Sequence, residues 1–321
     1  MRAVVFALAL GLAAPAFAQE SSCAVAQSDP SKLSHVDAVA DYRSVLQLCK
    51  NGTGATQIAI RQMRLGGEAA LLVADAETLQ TRLEKAACWT CRDAEESELA
   101  DTRFSHAIAK SAQAPGLAKR GFLENAGLTR GSGAGAFLTA DLCPSSHPLD
   151  RAFLETLAPH TPIALSISGL WLTHHFDDYR WLLERRASGA LDILWTDHSY
   201  HHQFTKGEPF DHNFLLTPGV DADEEILDTE RLLIANGQTP SLFFRFPGLI
   251  SSAPLMQAAR KHHLIALGAD AWLALQQKPK AGSIVLVHVN GNEPLGLKIF
   301  ARDERDGKMP APLRALVEAP D

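Results

Sequence analysis

Ser283-Ile284-Val285-Leu286-Val287-His288 is an unbroken apolar run that yields a chemically useful side chain only at its last position. The same design recurs through the C-terminal half of the chain. Residues 136–141 end in Asp141, residues 192–198 end in His198, and residues 241–246 deliver Arg245 near their end. Asp270 follows the run 264–268, and 162–168 completes the set of candidate strands. Between these runs lie helix-like stretches at 149–157, 172–187, 222–236 and 253–262. The third is introduced by Thr217-Pro218-Gly219 and closed by Asn236-Gly237, which is sensible punctuation at both ends. Strands that are apolar throughout and alternate with helices argue for an α/β fold, with a parallel sheet or barrel covered by helices. In a β/α barrel all C-terminal strand ends open on one face, which carries the active site. Asp, His, Arg, Asp and His arriving at that same relative position mark a single mouth.

Outward from this core the texture changes. Residues 19–130 are rich in Ala, Glu and Arg, and the local pattern predicts a helix over 75–88, with Leu79, Leu83 and Ala86-Ala87 on one face. The region ends in Gly131-Ser132-Gly133-Ala134-Gly135, a linker or tight lead-in to a strand. It reads as an accessory region to which no chemistry is assigned. Four of the five cysteines, Cys23, Cys49, Cys88 and Cys91, fall here. Cys23–Cys49 with Cys88–Cys91 is the simplest pairing among the three that four cysteines allow. Cys88-Trp89-Thr90-Cys91 also has redox or zinc spacing, without a second such pair to support it. Cys143 is left over.

Met1-Arg2, an apolar stretch over 3–12 and Ala16-Phe17-Ala18 have the order of a secretory signal over residues 1–18, cut before Gln19. The apolar stretch is too short to span a bilayer, so a periplasmic or secreted protein with no membrane span is expected. Disulfides are then the default for its cysteines. The chain is 46% hydrophobic and 21% charged, ordinary for a globular protein, with a net charge of −7. A surface of that sign gains nothing by counterion release on a phosphate backbone, which argues against nucleic acid as a partner.

Residues 135–305 contain five ordered motifs. Leu138-Thr139-Ala140-Asp141-Leu142-Cys143-Pro144 comes first, then His198-Ser199-Tyr200-His201-His202, then Arg245-Phe246-Pro247-Gly248. Asp270-Ala271-Trp272 and the strand ending in His288 follow. Together they resemble the NodB homology domain of the polysaccharide deacetylases, a carbohydrate esterase family with a distorted β/α barrel. The resemblance implies a hydrolase that removes N- or O-acetyl groups from a glycan with a divalent metal, usually zinc. It implies His198 and His202 as metal ligands, Asp141 as general base and Arg245 as the charge that holds that base ionised. It further implies His288 as general acid with Asp270 fixing its tautomer, and a backbone N–H near Gly248 for the oxyanion. Four-residue spacing would place His198 and His202 on one side of a helical turn. Trp171, Trp195 and Trp272 are read as core in preference to sugar platforms.

One departure bears on activity. Where the family carries its third metal ligand, an aspartate, this chain has Leu142, and the glycine of that motif is Cys143. Either Asp141 or Asp197 enters the metal shell, or Cys143 supplies a thiolate, or the metal is held weakly or not at all. A catalytically impaired domain that binds glycan or an envelope partner is therefore the alternative, and an envelope interaction module built on the N-terminal cysteines a second one.

Overall fold

A computed structural model describes residues 23–25, 28–114 and 116–321. The proposed signal segment 1–18 lies outside them. The chain opens with five strands, β1 (Val39–Asn51), β2 (Thr56–Leu65), β3 (Glu68–Ala74), β4 (Thr81–Lys85) and β5 (Trp89–Asp93). They form one antiparallel sheet in the order β4-β3-β2-β1-β5. Helix α1 (Arg103–Gln113) and the short strands β6 (Leu117–Lys119) and β7 (Phe122–Glu124) lead into the second half.

The helix expected over 75–88 is not present. Asp75 Oδ1 accepts from the backbone N–H groups of Glu77 and Thr78, and Leu79 takes a left-handed φ of +60°. The left-handed residue ends the turn that the Asp75 side chain caps, before a helix can propagate. Thr81–Lys85 then pairs with β3, Leu72 opposite Leu83. The disulfides are also not the simplest pair: Cys23 joins Cys88 and Cys49 joins Cys91. The cause is register, because antiparallel pairing of β1 with β5 sets Cys49 opposite Cys91. Both cysteines of the 88–91 motif are consumed separately, so it is not a redox pair or a zinc knuckle.

The remainder alternates as the sequence predicts: β8 (Phe137–Leu142), α2 (Arg151–Leu154), β9 (Thr161–Ile167), α3 (Gly169–His174), α4 (Phe176–Ala187), β10 (Leu191–Asp197), α5 (Ala222–Ala235), β11 (Phe243–Phe244), β12 (Ile250–Ser251), α6 (Ala253–Lys261), β13 (Ile265–Ala266), β14 (Ala271–Trp272), β15 (Ile284–His288) and α7 (Pro294–Arg305). Seven strands make a parallel sheet in the order β13-β11-β10-β9-β8-β15-β14, while β12 joins β7 and β6 in a separate ribbon. Its two edge strands are separated in sequence by residues 267–270 alone, and the sheet curls into a distorted barrel. The strands are buried on both faces, β8 and β15 at every position, which is why they read as continuous apolar runs. Trp171 and Trp195 are fully buried in that core. Gly135, at the entry to β8, has φ +83°, and a Cβ there would strike the carbonyl oxygen of Pro312. Only glycine allows that close approach. Residues past 305 join the fold as well, with Leu313 bridging Ala136.

The N-terminal sheet and the parallel sheet share one apolar core, in which Ile58, Ile60 and Met63 meet Leu242, Phe243 and Ile265. A buried polar tie crosses it. Arg61 of β2 and Glu230 of α5, both without solvent exposure, form a two-pronged ion pair at 2.8 and 3.0 Å. The Tyr42 hydroxyl adds a 2.6 Å bond to Glu230. Removing one partner leaves a buried charge uncompensated, which costs about 3–5 kcal/mol. Arg61→Met should therefore lower stability by that amount in urea unfolding, and adding Glu230→Gln should recover part of it.

Candidate functional site

Register brings the strand-end residues together. β8 and β15 are parallel neighbours with Asp141 opposite His288. β10 and β11 pair at Asp197 and Phe244, so His198 and Arg245, each one residue farther on, emerge side by side.

Arg245 is fully buried, and its guanidinium donates to Asp141 Oδ1 at 2.7 Å and to the Gly268 carbonyl at 3.2 Å. Burial pushes the Asp141 carboxyl up, but Arg245, then His198 and His288, outweigh it and hold the group below the usual carboxylate range.

His198 Nδ1 lies 2.8 Å from the Arg245 carbonyl oxygen. A carbonyl only accepts, so Nδ1 carries the proton and Nε2 presents a lone pair. That Nε2 faces Cys143 Sγ at 3.5 Å and Asp141 Oδ2 at 3.6 Å. The His202 ring is 4.8 Å from the His198 ring, and its Nε2 is buried with no hydrogen-bond partner among the described residues. One donor atom from each of Cys143, His198 and His202 lies within 4.8 Å of the other two. Burial raises the Cys143 thiol, but His202, His198 and His288 reverse this and bring it well below its ordinary value. A sulfur and two imidazoles that converge in a buried space, one of them presenting its Nε2 lone pair, offer a cation three donor atoms. The set suits zinc, whose usual ligands are Cys and His. Leu142 contributes no donor and is fully buried in the apolar core. Asp197 stays out of the set: it accepts from the Ser199 N–H at 3.0 Å, and burial, with Glu230 and Glu225 beside it, pushes its carboxyl well up.

The two histidines converge through a loop, not the helical turn their spacing suggests. Ser199 and His202 have φ of +70° and +48°, a region costly for side-chain-bearing residues. Glu225, in the first turn of α5, holds the loop there. Its carboxylate accepts from the Ser199 hydroxyl, from the His201 N–H at 3.0 Å and from His201 Nδ1 at 2.6 Å, while its carbonyl accepts from the Tyr200 N–H. His201 is thereby turned away, its side chain 57% exposed.

His288 Nδ1 lies 2.8 Å from Glu293 Oε2. Trp272 stacks on the His288 ring at 5.7 Å and donates its indole N–H to the same carboxylate oxygen at 2.8 Å. Burial disfavours the imidazolium, but Cys143, Glu293 and Asp141 overcome it and raise the His288 value well above the ordinary one. The expectation that Asp270 orients His288 is corrected here. The partners of Asp270 are the Ser283 hydroxyl at 3.2 Å and Arg130 at 4.0 Å, and the carboxylate at His288 is Glu293. Glu293 lies five residues beyond the strand, after the Gly-Asn-rich passage 290–292.

No family model matches the chain. Among solved structures it is similar to a family 4 carbohydrate esterase from Bacillus anthracis, at 18% identity over 61% of this chain and 87% of that one, with a TM-score of 0.44. It is similar also to a family 4 pseudoenzyme from Bacillus anthracis, at 14% identity over 62% and 70% with a TM-score of 0.43. A family 4 carbohydrate esterase from Streptomyces lividans in complex with acetate matches at 19% identity over 59% and 98%, with a TM-score of 0.40.

Proposed function

We propose that this chain is an exported, metal-assisted hydrolase that removes N- or O-acetyl groups from a carbohydrate. One observation carries the reading: a buried Cys143–His198–His202 donor set lies beside a carboxylate held ionised by Arg245 and a histidine backed by Glu293. The five motifs that resemble polysaccharide deacetylases supply the substrate class. The two disulfides support an oxidising compartment. Among the described residues no helix is long and apolar enough to cross a membrane.

His198 Nε2, His202 Nε2 and the Cys143 thiolate would hold the metal, which when bound polarises a carbonyl and makes water acidic near neutral pH. Asp141 takes the proton of the attacking water, and Arg245 keeps it oriented and basic for that purpose. His288 gives a proton to the departing amine or alcohol, with Glu293 supporting its charged form. Trp272, stacked on His288, limits water at that proton. The turn carrying Gly248 follows Arg245 by three residues and is the proposed source of a backbone N–H for the oxyanion.

The purified protein is expected to carry close to one zinc per chain and to release acetate from acetylated chito-oligosaccharide, xylan or peptidoglycan. His198→Ala should lose both metal and activity, and His288→Ala activity alone. Leu142, standing where the family has a metal-binding carboxylate, favours a second reading, a glycan-binding domain without turnover. Stoichiometric zinc without acetate release from any of the three polymers would establish that reading and end the first.

A further inference from the structure

The segment 203–216, which follows the metal-ligand loop, presents three phenylalanines that the proposed chemistry leaves unused. The Phe214 ring packs edge-on against His202 with centroids 5.5 Å apart. Phe204 and Phe210 lie nearly parallel to Phe214, at 5.5 Å with 23° between planes and 6.4 Å with 26°. Phe214 is buried, yet Phe204 and Phe210 are 56% and 49% exposed. Large apolar groups in water are costly unless something covers them.

The loop presents them rigidly. Fully buried Asn213 accepts from the Thr205 N–H at 2.6 Å and donates to the carbonyls of Thr205, Glu208 and Pro209. Gly248, at φ +61°, lets the Phe214 ring lie against the backbone, since a Cβ there would come within 2.6 Å of it. The stack is thus ordered before any ligand arrives, which reduces the entropy cost of binding.

We propose that Phe204 and Phe210 form a sugar-stacking subsite for the residue neighbouring the acetylated one. The identity of the ligand rests on the deacetylase reading. Three features favour a pyranose over a lipid surface. Phenyl faces carry partial negative charge and meet the partly positive C–H face of a sugar ring. The exposed phenyls alternate with the exposed polar residues Thr205, Lys206, Glu208 and His212, which suit hydroxyl groups. Lys206 is outnumbered by Glu208 and Asp211 in a chain of net charge −7, which opposes an anionic membrane. The stack also begins at His202, so a bound glycan would run from the reacting centre onto it.

Phe204→Ala/Phe210→Ala tests the subsite in the otherwise intact, metal-loaded protein, with binding and turnover measured separately. Binding is followed by calorimetry with acetylated chito-oligosaccharide in a His288→Ala background, which needs no turnover. The double substitution should weaken it about tenfold, and Phe204→Trp should preserve it. In the active background, the kcat/KM ratio of oligosaccharide to a small acetyl ester should fall by a similar factor. Unchanged oligosaccharide binding and an unchanged ratio would overturn the subsite while leaving the deacetylase reading intact. Weakened binding in a protein that hydrolyses no acetylated substrate would sustain the subsite and remove the deacetylase. Co-sedimentation with phosphatidylglycerol vesicles that the double substitution abolishes would replace the sugar by a lipid surface and also overturn it.

Discussion

Asp141→Asn is expected to lower the rate of acetate release about 10²- to 10⁴-fold, the usual worth of a positioned general base, while metal content stays the same. The two effects separate because Asp141 and the donor set are different groups. The Asp141 carboxylate is engaged by Arg245 at 2.7 Å, and the converging donor atoms proposed to hold the metal belong to Cys143, His198 and His202. Asparagine keeps the volume and an oxygen for Arg245 to bind, but it cannot accept the proton of the attacking water. The Arg245 charge, fully buried, then loses its counter-charge, so unfolding by urea should be followed in parallel to show that the variant is folded under assay conditions.

A pH profile sharpens the same expectation. The folded Asp141 value lies below the ordinary carboxylate range, so the base is ionised from neutral pH well into the acid region, and Asp141 itself limits activity only as pH falls through that lowered value. Arg245→Gln removes the charge that depresses it. Its acid limb should therefore move toward higher pH, with activity disappearing sooner on acidification. Full turnover in Asp141→Asn, or an acid limb that Arg245→Gln does not move, would show that the proton goes elsewhere.

The legible parts of this protein are those in which one residue and its local pattern decide the outcome. Apolar runs broken by helices gave the parallel sheet, because strands buried on both faces must be apolar throughout. Asp141, His198, Arg245 and His288 stood out because polar residues at the ends of such runs need a reason to be there. What stayed hidden depends on pairing between distant segments. The stretch 75–88 is composed of good helix formers, yet cross-strand contacts with β3 override that preference. The disulfide pattern follows from β1–β5 register, which no local spacing reveals. Glu225 lies 24 residues from His201 and acts on it from another element. Asp270 was attractive because it follows a strand, but a strand end settles only which face a residue joins, and its carboxylate went to Ser283 while Glu293 reached His288.

The third metal donor is the point at which the sequence leaves alternatives, and the proposed site takes Cys143. Cys143→Ser should weaken divalent metal binding by at least about 100-fold, since loss of supporting outer contacts alone costs 10- to 100-fold and this change touches a direct donor. Serine keeps the size of the side chain but offers a neutral hydroxyl in place of a soft anion, so zinc loses both charge and preferred ligand type. Asp141 could offer only Oδ2, since Arg245 holds Oδ1, and that oxygen lies outside the group of three converging donor atoms. Asp197 does not replace Cys143 either: its described bond goes to Ser199 and its surroundings disfavour its ionised form. Cobalt(II) gives a readout independent of turnover. The wild-type protein should show a near-ultraviolet band from thiolate-to-cobalt charge transfer, and Cys143→Ser should lack it while retaining its fold. A cobalt protein without that band, or a serine variant that holds zinc as tightly as the parent, would place the third ligand elsewhere. The site would then be a two-histidine centre completed by solvent or substrate, with Cys143 a buried neighbour of no chemical consequence.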